Sequence, residues 1–400
     1  MISRMSPFFR GWPTLLCGAL LSHAADGLRA VQDQKPTNQV AKATATKPLA
    51  AVLPAEEWQQ VENTVDRALS WMATQQAANG SFPTYPSGQP GITSLATMAF
   101  LSRGHQPGLG PYGQGINRAI DFVLSCQASN GLITFLTPGP VHEDKEASHT
   151  AVYNHAISGL MLSEVYGQVS GQRAKAAKRV IERALQFSRQ LQLRPKLPAD
   201  KGGWRYLRVN HTGIESDLSV TGWQIMFLRS AKNAEFDVPQ AHVDEAMAYV
   251  RRCWDASSGA FSYDTEVGGV TIDTRAMVGA GILSLSLGGQ HQTPMALAAG
   301  DWLLNHPYRR FGDLVSSRDR FFYGAYYCSQ AMAQLGGRYW EQFFPRLTEA
   351  LLSGQTADGS WPPEVDRGGG SEAIFGRVYS TALAVLSLTP PYQLLPVYQR

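Results

Sequence analysis

Residues 202–230 read GGWRYLRVNHTGIESDLSVTGWQIMFLRS and decide the fold, because they hold one complete copy of a plan that recurs along the chain. A Gly-Gly-Trp turn leads into a polar loop, and the loop leads into an apolar helix. Glu215 and Asp217 stand just ahead of the apolar run, where the N-terminus of a helix favours negative charge. Two interpretations stay open: the acids cap the helix, or they face a shared cavity and take part in chemistry.

The same plan occurs six times beyond Pro54, at a period of roughly 50 residues that is typical of stacked helical pairs. Each copy has an amphipathic helix, a turn, a polar loop and a second helix that is more apolar. In the first copy, residues 61–72 keep the i, i+3, i+4, i+7 spacing of a helix with one buried face. The turns with Gly or an aromatic residue fall at 79–82, 127–131, 202–204, 258–261, 311 and 355–361.

The two helices of each copy differ in a way that predicts their place. The first has a charged face, as Lys178, Arg179 and Glu182 show, and belongs on the outside. The second is apolar nearly all round and belongs inside. An open array would leave the inner helices in water, so the array must close on itself. We therefore predict an all-α fold, an α/α toroid (α6/α6 barrel) of six helical hairpins over residues 55–400, with the loops gathered at one mouth.

Composition excludes one class of partner. The net charge is only +3, and 17% of residues are charged against 44% that are hydrophobic. Nucleic-acid binding proteins need a clustered basic face, which the scattered Lys and Arg residues do not form. We expect no nucleic-acid partner.

The N-terminus has the features of an export signal. Arg4 and Arg10 precede a short apolar run at 14–21, and small residues follow near Ala24 and Ala30. The run is shorter than the ~20 residues of a membrane-spanning helix, so no transmembrane span is expected in the mature chain. We predict a signal peptide at 1–30, a flexible linker at 31–54 and an exported protein that is periplasmic, secreted or in the cell envelope. Retention of the signal as an anchor stays open.

The turn pattern Gln-x-x-x-Gly-x-aromatic at 355–361 and 76–82 resembles the prenyltransferase and squalene oxidase repeat of triterpene cyclases, the squalene-hopene cyclase-like family. The resemblance covers residues 61–390. The runs YNHAI at 153–157 and TGWQ at 221–224 look most like the exported bacterial members that have a single toroid. The resemblance implies an α/α toroid, a fold that carries several functions.

The same family implies a role for Asp217. Squalene-type cyclases protonate an alkene with an aspartic acid in an Asp-x-Asp-Asp-Thr motif, which Glu215-Ser216-Asp217-Leu218-Ser219 resembles. Asp217 falls on the proton donor, Glu215 replaces the first acid and Leu218 replaces the last. The Asp-x-Cys pair that holds zinc in protein prenyltransferases is not matched, since Ser219 stands two residues after Asp217. We expect no metal and no cofactor.

Further candidates lie where the inner helices should line the central cavity. Aromatic rings there suit an isoprenoid, a sugar ring or a carbocation, although a structural role in the core is the alternative for each. Arg275 at the mouth would receive a carboxylate or phosphate. For His155 the alternative is a buried ring satisfied by a carbonyl or hydroxyl group. The cavity-lining candidates are Tyr153, His155, Trp223, Asp273, Arg275, Tyr323, Tyr327, Arg377 and Tyr379.

Three functions are consistent with these observations. The first is a binding or scaffolding module with a central aromatic-lined cavity, whose partner is an apolar or amphipathic small molecule or an envelope protein. The second is an isomerase or cyclase that acts on an isoprenoid with Asp217 as general acid and Glu215 as its partner. The third, by analogy of fold alone, is a carbohydrate-active α/α barrel that uses the same two acids.

Overall fold

The computed structural model describes residues 48–139, 146–207, 215–265, 274–363 and 372–399. The predicted signal peptide and most of the predicted linker lie outside these residues. The last residues of the predicted linker belong to the packed unit: Leu53 is buried, and the indole Nε1 of Trp340 donates a hydrogen bond to the carbonyl of Leu49 at 2.9 Å.

The described chain is mostly helical and has one short pair of strands, which confirms the all-α prediction. The first helices of the six pairs are α1 (Ala55–Gln75), α3 (Gly113–Ser125), α5 (Gly171–Gln192), α7 (Gln240–Arg252), α9 (Pro294–Asn305) and α11 (Gly337–Leu352). The second helices are α2 (Gly91–Ser102), α4 (Ala147–Val165), α6 (Leu218–Asn233), α8 (Arg275–Leu287), α10 (Phe321–Leu335) and α12 (Gly376–Leu388).

Little regular structure lies between the helices. A short antiparallel ribbon pairs β1 (Trp254–Asp255) with β2 (Ala260–Phe261). The turns of 3-10 helix are Leu49–Val52, Pro86–Gly88, Tyr166–Gln168, Pro198–Asp200, Glu372–Phe375, Pro390–Tyr392 and Pro396–Tyr398. In the described part of the chain no helix is both long and apolar enough to cross a bilayer.

The inner helices form a closed ring. Each of α2, α4, α6, α8, α10 and α12 packs against the next, and α12 packs against α2. The outer helices lie around them, with α1 against both α12 and α11. Every residue of α2 is buried, whereas α5 buries one face that includes Ile181 and Leu185. This arrangement confirms the α/α toroid of six helical pairs.

The glutamine of the repeated turn joins successive pairs. The side-chain Nε2 of Gln355 donates to the carbonyl of Gly359 in its own turn and to that of Thr64 in α1, both at 2.8 Å. Three further glutamines make the same two bonds: Gln76 with Gly80 and Gly115, Gln127 with Gly131 and Val180, and Gln192 with Gly202 and His242. The motif that carries the family resemblance is therefore architectural.

The glycine of this turn is fixed by a close approach of two backbones. Gly202 has φ +91°, and a Cβ at this position would lie 2.0 Å from the carbonyl oxygen of Glu245 in α7. Only glycine, which has no Cβ, can adopt this backbone conformation so close to the next outer helix.

The C-terminal segment packs on the end of the ring where the inner helices finish. Asn233 at the end of α6 donates a side-chain hydrogen bond to the carbonyl of Pro396 at 3.0 Å. Gln334 at the end of α10 donates to the carbonyl of Tyr398 at 2.7 Å. The mouth, where the inner helices begin, is the opposite end.

Candidate functional site

Asp217 lies at the start of α6 and caps it. Its Oδ1 accepts hydrogen bonds from the backbone N–H of Val220 and from the hydroxyl of Ser219, both at 2.8 Å. These bonds satisfy a donor that the first turn of a helix leaves without an intrahelical partner. Helix capping is thus one role of Asp217.

The other carboxylate oxygen of Asp217 is in a different situation. Oδ2 is buried and has no hydrogen-bond partner among the described residues. The nearest cationic atom is Nε of Arg205 at 3.9 Å, too far for a hydrogen bond. Burial raises the pKa of Asp217, while the charge of Arg205 and the two bonds to Oδ1 oppose that rise. The site therefore contains a buried carboxyl group with one oxygen unpaired.

Two backbone bonds bring neighbouring loops to this carboxyl group. The N–H of Asp217 donates to the carbonyl of Trp204 at 2.9 Å, and the N–H of Leu218 donates to the carbonyl of Tyr263 at 2.7 Å. The first bond places the loop that carries Arg205 and Tyr206 beside α6. The second places Tyr263, from the loop after β2, on the same side.

Four half-buried tyrosines lie at the mouth, three of them near Asp217 and the fourth, Tyr323, near Tyr153; we call Tyr153, Tyr206, Tyr263 and Tyr323 the mouth tyrosines. Tyr153 on α4 hydrogen-bonds to the hydroxyl of Ser219, and the hydroxyls of Tyr206 and Tyr263 bond to each other. Burial, followed by the influence of Tyr206, Asp217, Tyr263 and Tyr323, raises the pKa of Tyr153 well above its usual value. These groups therefore converge on one place.

Sequence reasoning missed Tyr206 and Tyr263. A signal was present, because Tyr206 and Tyr263 each stand two residues after the buried aromatic residue of a turn, Trp204 and Phe261. Both residues lie near the start of α6, where the N–H of Leu218 bonds to the carbonyl of Tyr263 and the two tyrosine hydroxyls bond to each other. The guanidinium of Arg205 lies 5.3 Å and 5.4 Å from the ring centres of Tyr206 and Tyr263, in the range of cation–π contacts.

Glu215 is placed differently from Asp217. It is half-buried, and its backbone N–H donates to Oδ2 of Asp200 at 2.9 Å. The cation nearby is Lys196, whose Nζ donates to the carbonyl of Gly203 and to Ser216 Oγ. Burial lowers the pKa of Lys196 to about 8, against the charges of Asp200 and Glu215. The hydrogen bonds to Asp217 come from Ser219 and Val220, not from Glu215.

Trp223 belongs to an aromatic cluster inside the ring. Its ring stacks on Tyr326 with centroids 5.3 Å apart and meets the edge of Tyr327 at 5.5 Å. Its Nε1 donates to the hydroxyl of Tyr323 at 3.0 Å. Trp223 and Tyr327 are buried, and Tyr323 is half-buried at the mouth. The cluster thus connects the packed centre of the toroid to the mouth tyrosines.

His155 has a role in the repeated turn. Its Nδ1 accepts the backbone N–H of Ile133 at 3.1 Å, so Nε2 carries the proton and donates to Ser188 Oγ at 3.0 Å. Burial lowers the pKa of His155 to about 3, so the ring is neutral. In three other copies a threonine hydroxyl accepts the equivalent N–H: Thr93 from Phe82, Thr221 from Trp204 and Thr381 from Trp361.

The remaining candidates hold loops in place. Arg275 donates to the carbonyls of His306, Pro307 and Asp313 and to the Asp313 carboxylate, at 2.7–3.2 Å. Arg377 binds both carboxylate oxygens of Asp358, at 2.7 Å and 2.8 Å.

Tyr379 and Asp273 complete the set of predicted lining residues. The hydroxyl of Tyr379 donates to Glu372 at 2.7 Å. Asp273 lies outside the described residues. Within the described ranges, no three His, Cys, Asp or Glu side chains come together as a metal site would require.

Comparison with known proteins supports the fold class. No protein-family model and no curated protein sequence matches this chain. A structure of a variant of type II terpene cyclase MstE from Scytonema with geranylgeranyl dihydroxybenzoate has a TM-score of 0.56 and 14% identity, and the match covers 85% of this chain and 99% of that one. A second MstE variant, with the product merosterolic acid A, has a TM-score of 0.55 and 15% identity over 86% and 100% of the two chains.

A glycosidase variant is similar to the same degree, with a TM-score of 0.55 and 12% identity over 86% of this chain and 100% of that one. At these identities the comparisons show the fold alone. The chain is an α/α toroid whose fold is similar to those of a terpene cyclase and a glycosidase, and its function must be argued from the site.

Proposed function

We propose that this protein binds an apolar or amphipathic small molecule of the isoprenoid class at the mouth of the toroid. The observation that carries the proposal is the set of mouth tyrosines beside the buried Asp217, whose Oδ2 has no hydrogen-bond partner among the described residues. Half-exposed rings offer apolar surface to a hydrocarbon chain, and the unpaired oxygen offers one polar contact at the inner end.

The fold relatives are consistent with this proposal. The MstE structures hold a geranylgeranyl-bearing substrate and the product merosterolic acid A, so a toroid of this kind accommodates an isoprenoid chain in that protein. Given the export signal predicted at 1–30, we expect binding to take place in the cell envelope or outside the cell. The alternative binding function is that the partner is an envelope protein instead of a small molecule.

Acid catalysis by Asp217 is the second candidate. It is favoured by one observation, namely that burial raises the pKa of a carboxyl group whose Oδ2 is unpaired. A general acid must hold its proton near the operating pH, and burial favours the neutral form that does so. The reaction would be an isomerisation or cyclisation started by protonation of an alkene. The hydrogen bonds to Asp217 come from Ser219 and Val220 and not from its assigned partner, Glu215.

The carbohydrate-active alternative is supported less well by the site. Glycoside hydrolysis ordinarily requires two carboxyl groups that flank the scissile bond. Here Asp217 lies beside tyrosines and an arginine, and the hydrogen bonds that it accepts come from Ser219 and Val220 rather than from the assigned second acid, Glu215.

Purification of the full-length protein from the envelope, followed by mass spectrometry of bound lipids and proteins, tests the proposal. We expect an isoprenoid lipid to co-purify with the wild type and to be lost from Tyr206→Ala. Tyr85→Ala is the matched control, because Tyr85 is an exposed tyrosine in another mouth loop. Asp217→Asn separates the two candidates: bound lipid of unchanged structure in both proteins favours binding, and a product found only with the wild type favours catalysis. Co-purification of the same protein partners from every variant, without lipid, contradicts the proposal.

A further inference from the structure

Two buried polar atoms at the mouth lack partners and face each other. Nε of Arg205 and Oδ2 of Asp217 are 3.9 Å apart, and neither has a hydrogen-bond partner among the described residues. One atom is a donor, and the other is an acceptor when Asp217 is ionised. A buried polar group without a partner costs about 1–3 kcal/mol, so a pair of them calls for an explanation.

The remaining bonds of Arg205 leave its guanidinium poorly satisfied. Its side chain is 10% exposed. Its Nη1 reaches the carbonyl of Ser216 at 3.4 Å, and the nearest oxygen of Asp264 is at 3.8 Å. Arg275, by contrast, donates four hydrogen bonds to loop groups. Arg205, rather than Arg275, is the arginine at the mouth with donors to offer.

We infer that a hydroxyl group of the ligand bridges Arg205 Nε and Asp217 Oδ2. A hydroxyl oxygen placed at hydrogen-bond distance from both atoms is geometrically compatible with a separation of 3.9 Å. It accepts from Nε–H and donates to Oδ2 when Asp217 is ionised, and it accepts from both atoms when Asp217 is protonated. A hydroxyl therefore suits either protonation state. This inference rests on the proposed function and specifies the ligand as a long-chain isoprenoid alcohol.

The hydroxyl must enter past Tyr206 and Tyr263. Their hydroxyls are bonded to each other, both rings are half-buried, and the guanidinium of Arg205 lies against both. Separation of this tyrosine pair would open the way to the two unpaired atoms, and the apolar chain would then lie on Tyr153 and Tyr323. The pair thus acts as the entrance to the polar end of the site.

Comparison of geranylgeraniol with the hydrocarbon that lacks its hydroxyl tests the inference. For the wild type we expect the alcohol to bind about tenfold to a hundredfold more tightly, because two hydrogen bonds depend on the hydroxyl. Equal affinity of the two compounds overturns the inference and leaves the proposed function standing. Binding of neither compound contradicts the proposed function itself. The wild type alone therefore decides between these outcomes.

Two variants assign the effect to the residues named. In Arg205→Met the hydroxyl keeps only its bond to Asp217, so we expect the preference for the alcohol to fall by about tenfold while affinity for the hydrocarbon is kept. Arg103→Met is the matched control: Arg103, at the end of α2, also lies over a tyrosine ring, that of Tyr392. Asp217→Asn keeps a side-chain oxygen for the cap and offers a second donor, so we expect the preference to persist. A preference unchanged in Arg205→Met contradicts the assignment.

Discussion

Ser219 donates its hydroxyl proton to Oδ1 of Asp217 at 2.8 Å, and Tyr153 hydrogen-bonds to the oxygen of the same Ser219. Since Ser219 has one proton and gives it to Asp217, Tyr153 must be the donor in the second bond. The half-exposed mouth is thereby connected to the buried carboxyl group through two hydroxyls.

Replacement of Ser219 by alanine should raise the pKa of Asp217 by about one pH unit, because a hydrogen bond to a carboxylate favours its ionised form. Tyr153→Phe should shift the pKa in the same direction by less. The titration can be followed by carbon NMR of the aspartate carboxyl groups, with Asp217→Asn to assign the signal. Ser94→Ala, in the first turn of α2, is the control and should leave the signal unmoved. An unchanged titration in Ser219→Ala would show that this bond does not tune the acid.

Gly202 and Gly312 give a matched pair of substitutions. Both have positive φ, +91° and +71°, but a Cβ at Gly202 would meet the carbonyl of Glu245 at 2.0 Å, whereas a Cβ at Gly312 would meet nothing within 4 Å. We expect Gly312→Ala to lower the free energy of unfolding by about 1 kcal/mol, and Gly202→Ala by several times more. Urea unfolding measures both. Similar losses would mean that α7 is not held as closely to the turn as described.

Glu164 should make stability depend on pH through the C-terminal segment. It is buried on α4, accepts from Ser230 and from the backbone N–H of Val397, and lies near Tyr326 and Tyr398. Burial raises its pKa from 4.5 to about 7. The folded state thus binds the proton more tightly than the unfolded state. The resulting stabilisation is complete below about pH 4.5 and is lost as the pH rises through about 7.

The measurement is the free energy of unfolding between pH 4 and 8 in wild type and Glu164→Gln. The wild type should lose on the order of 3 kcal/mol relative to the variant over this range. Glu56→Gln, at the exposed start of α1, is the control and should follow the wild type. Parallel curves for wild type and Glu164→Gln would contradict the assignment.

The closed ring of six pairs was predictable because burial leaves a direct mark on composition. Outer helices such as α5 keep charged residues on one face, and inner helices such as α2 do not. The turn motif was visible for a similar reason. The turn glutamine, Gln355 in the sixth copy, makes equivalent hydrogen bonds in three other copies, so the residue recurs in the sequence. Patterns that repeat are read reliably from one sequence.

The site was less predictable because it depends on which partner each side-chain hydrogen-bond donor reaches in the folded structure. Arg275 and Arg205 both lie near the start of an inner helix, yet only the contacts show that the first holds a loop and that Nε of the second has no hydrogen-bond partner among the described residues. The role of His155 becomes clear only when it is compared with Thr221 of the next copy, whose hydroxyl accepts the equivalent backbone N–H. The sequence signal that was overlooked is the shared position of Tyr206 and Tyr263, each two residues after the buried aromatic residue of its turn.

The most direct test of ligand binding at the mouth is a calorimetric titration with geranylgeraniol of three purified proteins: the wild type, Tyr206→Ala and Tyr85→Ala. We predict saturable binding of one molecule per chain to the wild type, weakened by about tenfold or more in Tyr206→Ala and unchanged in Tyr85→Ala. Saturable binding that is equal in all three proteins would place the ligand elsewhere, and no binding to the wild type would contradict the proposed function.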